Sequence, residues 1–363
     1  FSDGFTPSTE FNPRFAGENN ASIWRREFPA EWFVGYNPLI ANNMSNEFTT
    51  FNSDWKTEEI LAQQLRRVLV FAEGKQLKQV NFYHQLAQEA GAFWVEDPGL
   101  AIHIRLWDDS DPNGKEFEIT TKEQCFMPAE MHLGYIRVSG FTFEYCADGV
   151  PVPQHAMVST YRGHHFIIEN NVIRHANSTG IDVGNETWHA SHKAEGEPRG
   201  GTIIRNNHIS DCGFCGIAGV GHVDGVLVEH NLIERIGQPN IERIWESAGL
   251  KMHTTIDLLI RRNVFRDIID GAGIWLDYLN ENSRITENVF HDIVALHPAI
   301  YVEVSHAWNM VDHNVVWNVK KPTLEYCHTY GFGTGIGADT GEKCIIANNF
   351  VGEIGNSFAI ACD

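Results

Sequence analysis

The second half of the chain is written in short apolar runs broken by polar corners. HHFIIEN, GTIIRN, VLVEH and DLLIRR are such runs, and each leads into a triplet Asn-x-(Val, Ile or Phe). The triplet begins at Asn171, Asn207, Asn231, Asn263, Asn288, Asn314 and Asn349, at spacings of 36, 24, 32, 25, 26 and 35 residues. The shorter spacings define a unit, and the longer ones read as that unit plus an inserted loop. A second alternating run follows each Asn at a similar offset: GIDVG, GIAGV, GLKMH, GIWLD, AIYVE, GIGAD and, last, AIACD. Two or three strands per repeat, separated by polar corners, predict an all-β fold, a right-handed parallel β-helix. One coil cannot bury its own apolar face, so stacked coils supply the core. The asparagines read as corner residues rather than ligands, tolerant of left-handed φ and hydrogen-bonded in a column.

The first part of the chain follows another pattern. RRVLVFAEGKQLKQV (Arg66 to Val80) reads as a hairpin turning at Glu73-Gly74, and GAFWVED, LAIHIRLWD and EFEITT as further strands. The expected organisation is an irregular segment or early coil over 1–47, an inserted or capping antiparallel β-sandwich-like region over 48–130, and the β-helix over 131–363. EEILAQQLRRVL can form one short helix beside the sandwich. Asp109 to Gly114 matches the opening of a calcium loop, but the twelfth position is Thr120 where a bidentate Glu is needed, so the segment reads as a turn. No metal and no cofactor are expected.

Composition narrows the partners. The 363 residues carry 27 Lys plus Arg against 47 Asp plus Glu, a net charge of -20. Such a field repels nucleic acid and anionic lipid, and no apolar run is long enough to span a bilayer. A small neutral oligosaccharide fits better. The seven cysteines are scattered, and Cys212 and Cys215 have no second pair at zinc-ligand spacing. Free thiols favour a reducing compartment, hence the cytoplasm over secretion. The chain begins at Phe1 without a signal-peptide pattern and stops straight after a strand, which suggests a processed or truncated chain. Oligomeric state is left open, a homo-oligomer included.

Register turns this repeat into a chemical face. In GIWLD, Ile274 and Leu276 point inward, so Trp275 and Asp277 point out. The same alternation brings out Lys251 and His253, then Tyr301 and Glu303, then Asp339. One outward column reads His253, Asp277, Glu303, Asp339, Asp363, and its neighbour Asp182, Ala218, Lys251, Trp275, Tyr301, Gly337. Coils stack about 4.8 Å apart, so the carboxyls of Asp277 and Glu303 should lie roughly 5 Å apart. Retaining glycosidases need about 5–5.5 Å between nucleophile and acid/base. Like charges at that distance push one pKa up, as a general acid requires. Trp275 and Tyr301 beside the pair offer flat faces for a sugar ring.

The run GHHFIIENNVIRHANSTGIDVGNE, followed by ESAGLKMH, GIWLD and AIYVE, resembles glycoside hydrolase family 120, over roughly residues 130 to 305. That resemblance implies a β-xylosidase built on a right-handed β-helix interrupted by a β-sandwich-like region. It places the nucleophile on Asp277, the acid/base on Glu303 and a further active-site carboxylate on Glu246. Glu246, Lys251 and His253 would then hold sugar hydroxyls or tune the pair. The sequence departs from the family at Ala295 to Pro298, which lengthen the corner before Ala299. The family's leading coils are not visible before Phe1.

Two other readings compete. A polysaccharide lyase would use Lys251 as base, whereas an ion pair of Lys251 with Asp277 speaks for the glycosidase. A non-catalytic carbohydrate-binding solenoid would carry aromatics without a paired acid and nucleophile.

Overall fold

In the computed structural model the described residues are 1–8, 22–40, 68–80, 82–148, 156–184, 198–220, 224–237, 247–295, 297–305, 307–321, 333–339, 341–356 and 358–362. They form strands, two short 3-10 turns and no α-helix. The chain divides into two compact units, Phe1–Glu123 with Tyr145–Ala147, and Gln124–Glu144 with Asp148–Asp363.

The first unit holds two small sheets. Thr6–Pro7, Trp24–Glu27, Ala101–Arg105 and Ala92–Glu96 pair antiparallel, with Lys78–Gln79 added parallel at the edge. Val70–Ala72 pairs antiparallel with Lys75–Gln76 and Phe117–Ile119, the hairpin turning at Glu73-Gly74, both at positive φ. Strands from the first 47 residues thus belong to the antiparallel sheet. The core mixes aromatic and aliphatic side chains: Phe5, Phe28, Phe33, Phe93 and Phe117 pack with Val70, Ile102 and Ile104. A buried polar chain crosses this unit. Ser8 Oγ lies 2.6 Å from His103 Nδ1, and His103 Nε2 lies 2.8 Å from Glu96, which in turn accepts from Arg25 at 2.7 Å. The Asp109–Gly114 segment is a turn: Asp109 accepts from Arg105, and Asp111 accepts from the Asn113 N–H. The helix expected over EEILAQQLRRVL falls mostly outside the described residues.

The second unit is a parallel β-helix of three faces. One face stacks Ala156–Ser159, Thr179–Asp182, Cys215–Val220, Ala248–His253, the end of Val264–Asp277, Ile300–Glu303, Ile336–Asp339 and Ile360–Cys362, all parallel. A second stacks Arg137–Ser139 through Cys344–Ala347. The third runs from Val172–Ala176 to Phe350–Ile354. Inside, Ile217, Leu250, Ile274, Ile300 and Ile336 form one fully buried column. Phe265 and Phe290 stack at 4.9 Å on successive coils. The glycine opening GIWLD has a packing cause: a Cβ on Gly273 would meet the Phe290 ring at 2.6 Å and the Ala299 carbonyl at 2.8 Å.

The asparagine column is continuous. From Asn171 to Asn314, each Nδ2 donates to the Oδ1 of the next ladder Asn at 2.9–3.1 Å, and its backbone N–H donates to the same oxygen. One expectation needs correcting. The left-handed corner position is taken not by these asparagines but by the residue before each: Asn170, Asn206, His230, Arg262, Glu287, His313 and Asn348, at φ from 53° to 57°. The ladder asparagines turn inward, where a short amide can span one coil spacing.

Candidate active site

The site lies on the first face, where outward side chains come from four consecutive coils. The register is the one the alternation predicts. Lys251 pairs with Trp275 and His253 with Asp277; Trp275 then pairs with Tyr301 and Asp277 with Glu303; Tyr301 pairs with Gly337 and Glu303 with Asp339. Val264–Asp277 is one continuous strand of 14 residues, so Asp277 is carried from the third face into the first without a loop.

The two carboxylates sit in opposite electrostatic settings. Asp277 Oδ2 is 2.9 Å from Lys251 Nζ and 3.6 Å from His253 Nδ1, and both partners are almost wholly buried. Lys251 therefore forms the ion pair considered from sequence. Its ammonium also lies 3.0 Å from the centre of the Trp275 ring. Among the described residues, no cation forms an ion pair with Glu303. Glu303 accepts from Trp275 Nε1 at 2.9 Å. Burial pushes its carboxyl up to about 7, and the nearby Asp277 charge adds to this; Lys251 and the hydrogen bonds from Trp275 and Tyr301 pull the other way. The Tyr301 hydroxyl donates to Asp339 at 3.2 Å, and burial foremost raises its own pKa.

The aromatic residues differ from expectation. Trp275 and Tyr301 do point away from the coil interior, yet each is only 5% exposed. Their faces are covered: His297 stacks parallel on Tyr301 at 5.4 Å and leans on Trp275 at 4.2 Å. Both residues thus present polar edges to the carboxylates in place of open faces to a sugar ring. His297 arrives on the lengthened Ala295–Pro298 corner, and the repeat carried no signal for it, because periodicity is silent about insertions. Asp339 stood in the outward column, but its bond to Tyr301 depends on side-chain geometry.

Other members of the columns behave differently. Asp182 is buried and accepts from the Ala156 N–H at 3.2 Å, a backbone role. Ala218 is buried on the coil before Lys251. Glu246 and Asp363 lie outside the described residues. Among the described residues, no three His, Cys, Asp or Glu side chains converge to hold a metal ion.

What this arrangement can do is acid–base and nucleophilic chemistry. One carboxylate is ion-paired to a lysine, and a second, one coil away, keeps its proton to near neutrality.

Comparison with known proteins places the fold. A solved structure described as XylC in complex with xylose is similar over 91% of this chain, at a TM-score of 0.67 and 22% identity. The chain spans 56% of that structure's length. A second, described as a glycoside hydrolase, is similar over 72% of this chain and 56% of its own, at a TM-score of 0.49 and 14% identity. No curated protein matches the chain. The resemblance to glycoside hydrolase family 120 thus stands for the β-helix itself. The family model described as a right-handed β-helix region matches residues 132–351, more than half of the chain, and the chain belongs to that family.

Proposed function

We propose that this chain is a retaining exo-glycosidase that releases xylose from β-linked oligosaccharides. The observation that carries this reading is the Asp277–Glu303 pair. The two stand in register on consecutive coils, Asp277 ion-paired to Lys251 and Glu303 protonated up to about pH 7. The coil spacing of about 4.8 Å fits the separation of about 5–5.5 Å that double displacement uses. Xylose is the sugar named with the similar XylC structure, and a net charge of -20 favours a neutral substrate over a polyanion.

In the first half-reaction the Asp277 carboxylate attacks the anomeric carbon as the glycosidic C–O bond breaks. Glu303 gives its proton to the departing oxygen. In the second, water attacks the glycosyl ester, Glu303 takes a proton from that water, and Asp277 leaves as carboxylate. Two inversions return the β-anomer. Lys251 is ion-paired to Asp277, which leaves it poorly placed as the free base of a lyase.

The test is Asp277→Ala assayed on an activated aryl β-xyloside. Turnover should fall by at least about 10⁴-fold, the scale of losing an activated nucleophile. Added azide should restore part of it with an inverted glycosyl azide as product. Wild-type protein should release the β-anomer first by NMR. Wild-type turnover in the variant, or an unsaturated product from the native protein, would overturn the reading. No turnover on any aryl glycoside would leave the non-catalytic carbohydrate-binding solenoid.

A further inference from the structure

We infer that His297 is a positioning residue, a wedge that holds Trp275 and Tyr301 beside Glu303 and keeps that carboxyl dry. The inference deepens the reading of Glu303 as acid/base and rests on it for its catalytic meaning.

Three observations carry it. First, His297 touches both aromatic residues. Its ring is parallel to Tyr301 within 7° at 5.4 Å, and its centre is 4.2 Å from that of Trp275. Second, both residues hold polar groups at the carboxylates of this column, Trp275 donating to Glu303 through Nε1 at 2.9 Å and Tyr301 donating through its hydroxyl to Asp339, the residue in register with Glu303, at 3.2 Å. A ring that fixes both sets the orientation of both donors. Third, the corner carrying His297 is seated by the site column itself. The position after Tyr301 in that column is Gly337, and a Cβ there would stand 2.4 Å from Pro298 Cγ. Any larger residue would push Pro298 away, and His297 with it. His297 is itself only 6% exposed.

The charged and titratable groups around Glu303 among the described residues are Asp277 and Lys251 on the preceding coils and Tyr301 on its own strand. Asp339 follows on the next coil, and His253 stands behind Asp277. Two effects of His297 on Glu303 then oppose each other. Shielding from water favours the neutral acid, whereas holding the donors in place favours the carboxylate. Burial is the largest influence on this group, so shielding wins. Opening the wedge should lower the Glu303 pKa. Were His297 an imidazolium, its charge would lower the Glu303 pKa and its removal would raise it, which separates packing from charge.

The experiment follows the Glu303 carboxyl by ¹³C NMR in the full chain, assigned by its loss in Glu303→Gln. This readout needs no turnover. In His297→Ala, and more mildly in His297→Asn, the midpoint should fall by about one pH unit, and the basic limb of kcat/KM should move with it. In His297→Phe, which keeps a flat ring without a proton, both should stay within about 0.3 unit of wild type. An unchanged midpoint in the folded Ala or Asn variant, or a fall in Phe equal to that in Ala, would overturn the inference. Shifts as expected with no glycosidase turnover in the wild type would keep the wedge and remove the proposed activity.

Discussion

Asp277 and Glu303 differ by one methylene and one coil, yet they stand in different electrostatic surroundings. The lysine that faces Asp277 and the buried indole that faces Glu303 make that difference. A carboxyl titrating near 7 must be protonated to serve as acid, so glycosylation should fall as pH rises through that value. Glu303→Gln should erase this basic limb. It should also lose far more rate on xylobiose than on a dinitrophenyl xyloside, because a poor leaving group needs the proton most. Equal losses on both substrates in the glycosylation step would mean that the proton comes from elsewhere, with Glu246 next to be tried. At this scale the candidate residues were legible because period-two alternation places every outward side chain without knowledge of its rotamer. What alternation could not report was cover. Trp275 and Tyr301 face out of the coil, and His297 from an inserted corner closes over them.

Among the elements, the asparagine ladder locks the register on which that alternation depends. Asn263 accepts two bonds from Asn231 and donates through Nδ2 to Asn288 and to the Val228 and Arg261 carbonyls. Its removal strands several buried polar groups, each costing about 1–3 kcal/mol. Asn263→Ala should therefore destabilise the β-helix by about 4 kcal/mol. Asn349 stands at the last coil, where its bonds are part-buried and water can replace them. Asn349→Ala should cost about 1 kcal/mol. Urea midpoints at unchanged slope would read both, and equal costs would contradict a ladder whose strength comes from burial. The ladder was visible as a spacing of triplets. Its geometry was shifted by one residue from expectation, because Asn in a turn sequence is compatible with both the left-handed site and the inward one. Only packing decides which is used.

Across the whole molecule, the two units rest on different physics. The β-helix repeats one contact along its coils, while the first unit packs a non-repeating core and buries a histidine, His103, against Tyr83 and Trp94. Burial foremost holds His103 below the ordinary histidine pKa, despite its bond to Glu96. Its folded pKa is depressed, so the unfolded chain binds the extra proton. The associated stability is complete above about pH 6.5 and is lost as pH falls towards the folded value. Between pH 7.5 and 5.5 the melting temperature of the wild type should fall more steeply than that of His103→Gln, whatever the absolute stability of that variant. Parallel slopes in scanning calorimetry would show that His103 takes no part. Nothing in the sequence pointed to the Ser8–His103–Glu96–Arg25 chain, since its members are far apart along the chain and share no period.

Sequence alone determined the coil, its face and the order of side chains along that face. Strand alternation has a period of two, and the triplet spacing counts the coils, so Lys251, Trp275, Tyr301 and His253, Asp277, Glu303 fall into columns before any coordinate is known. Tertiary structure alone decided what those columns experience. Whether a carboxyl keeps its proton depends on the water it loses and the charge it meets. Those depend on where an inserted corner lies, which ring Lys251 covers and how deep Trp275 sits, and none of these is periodic.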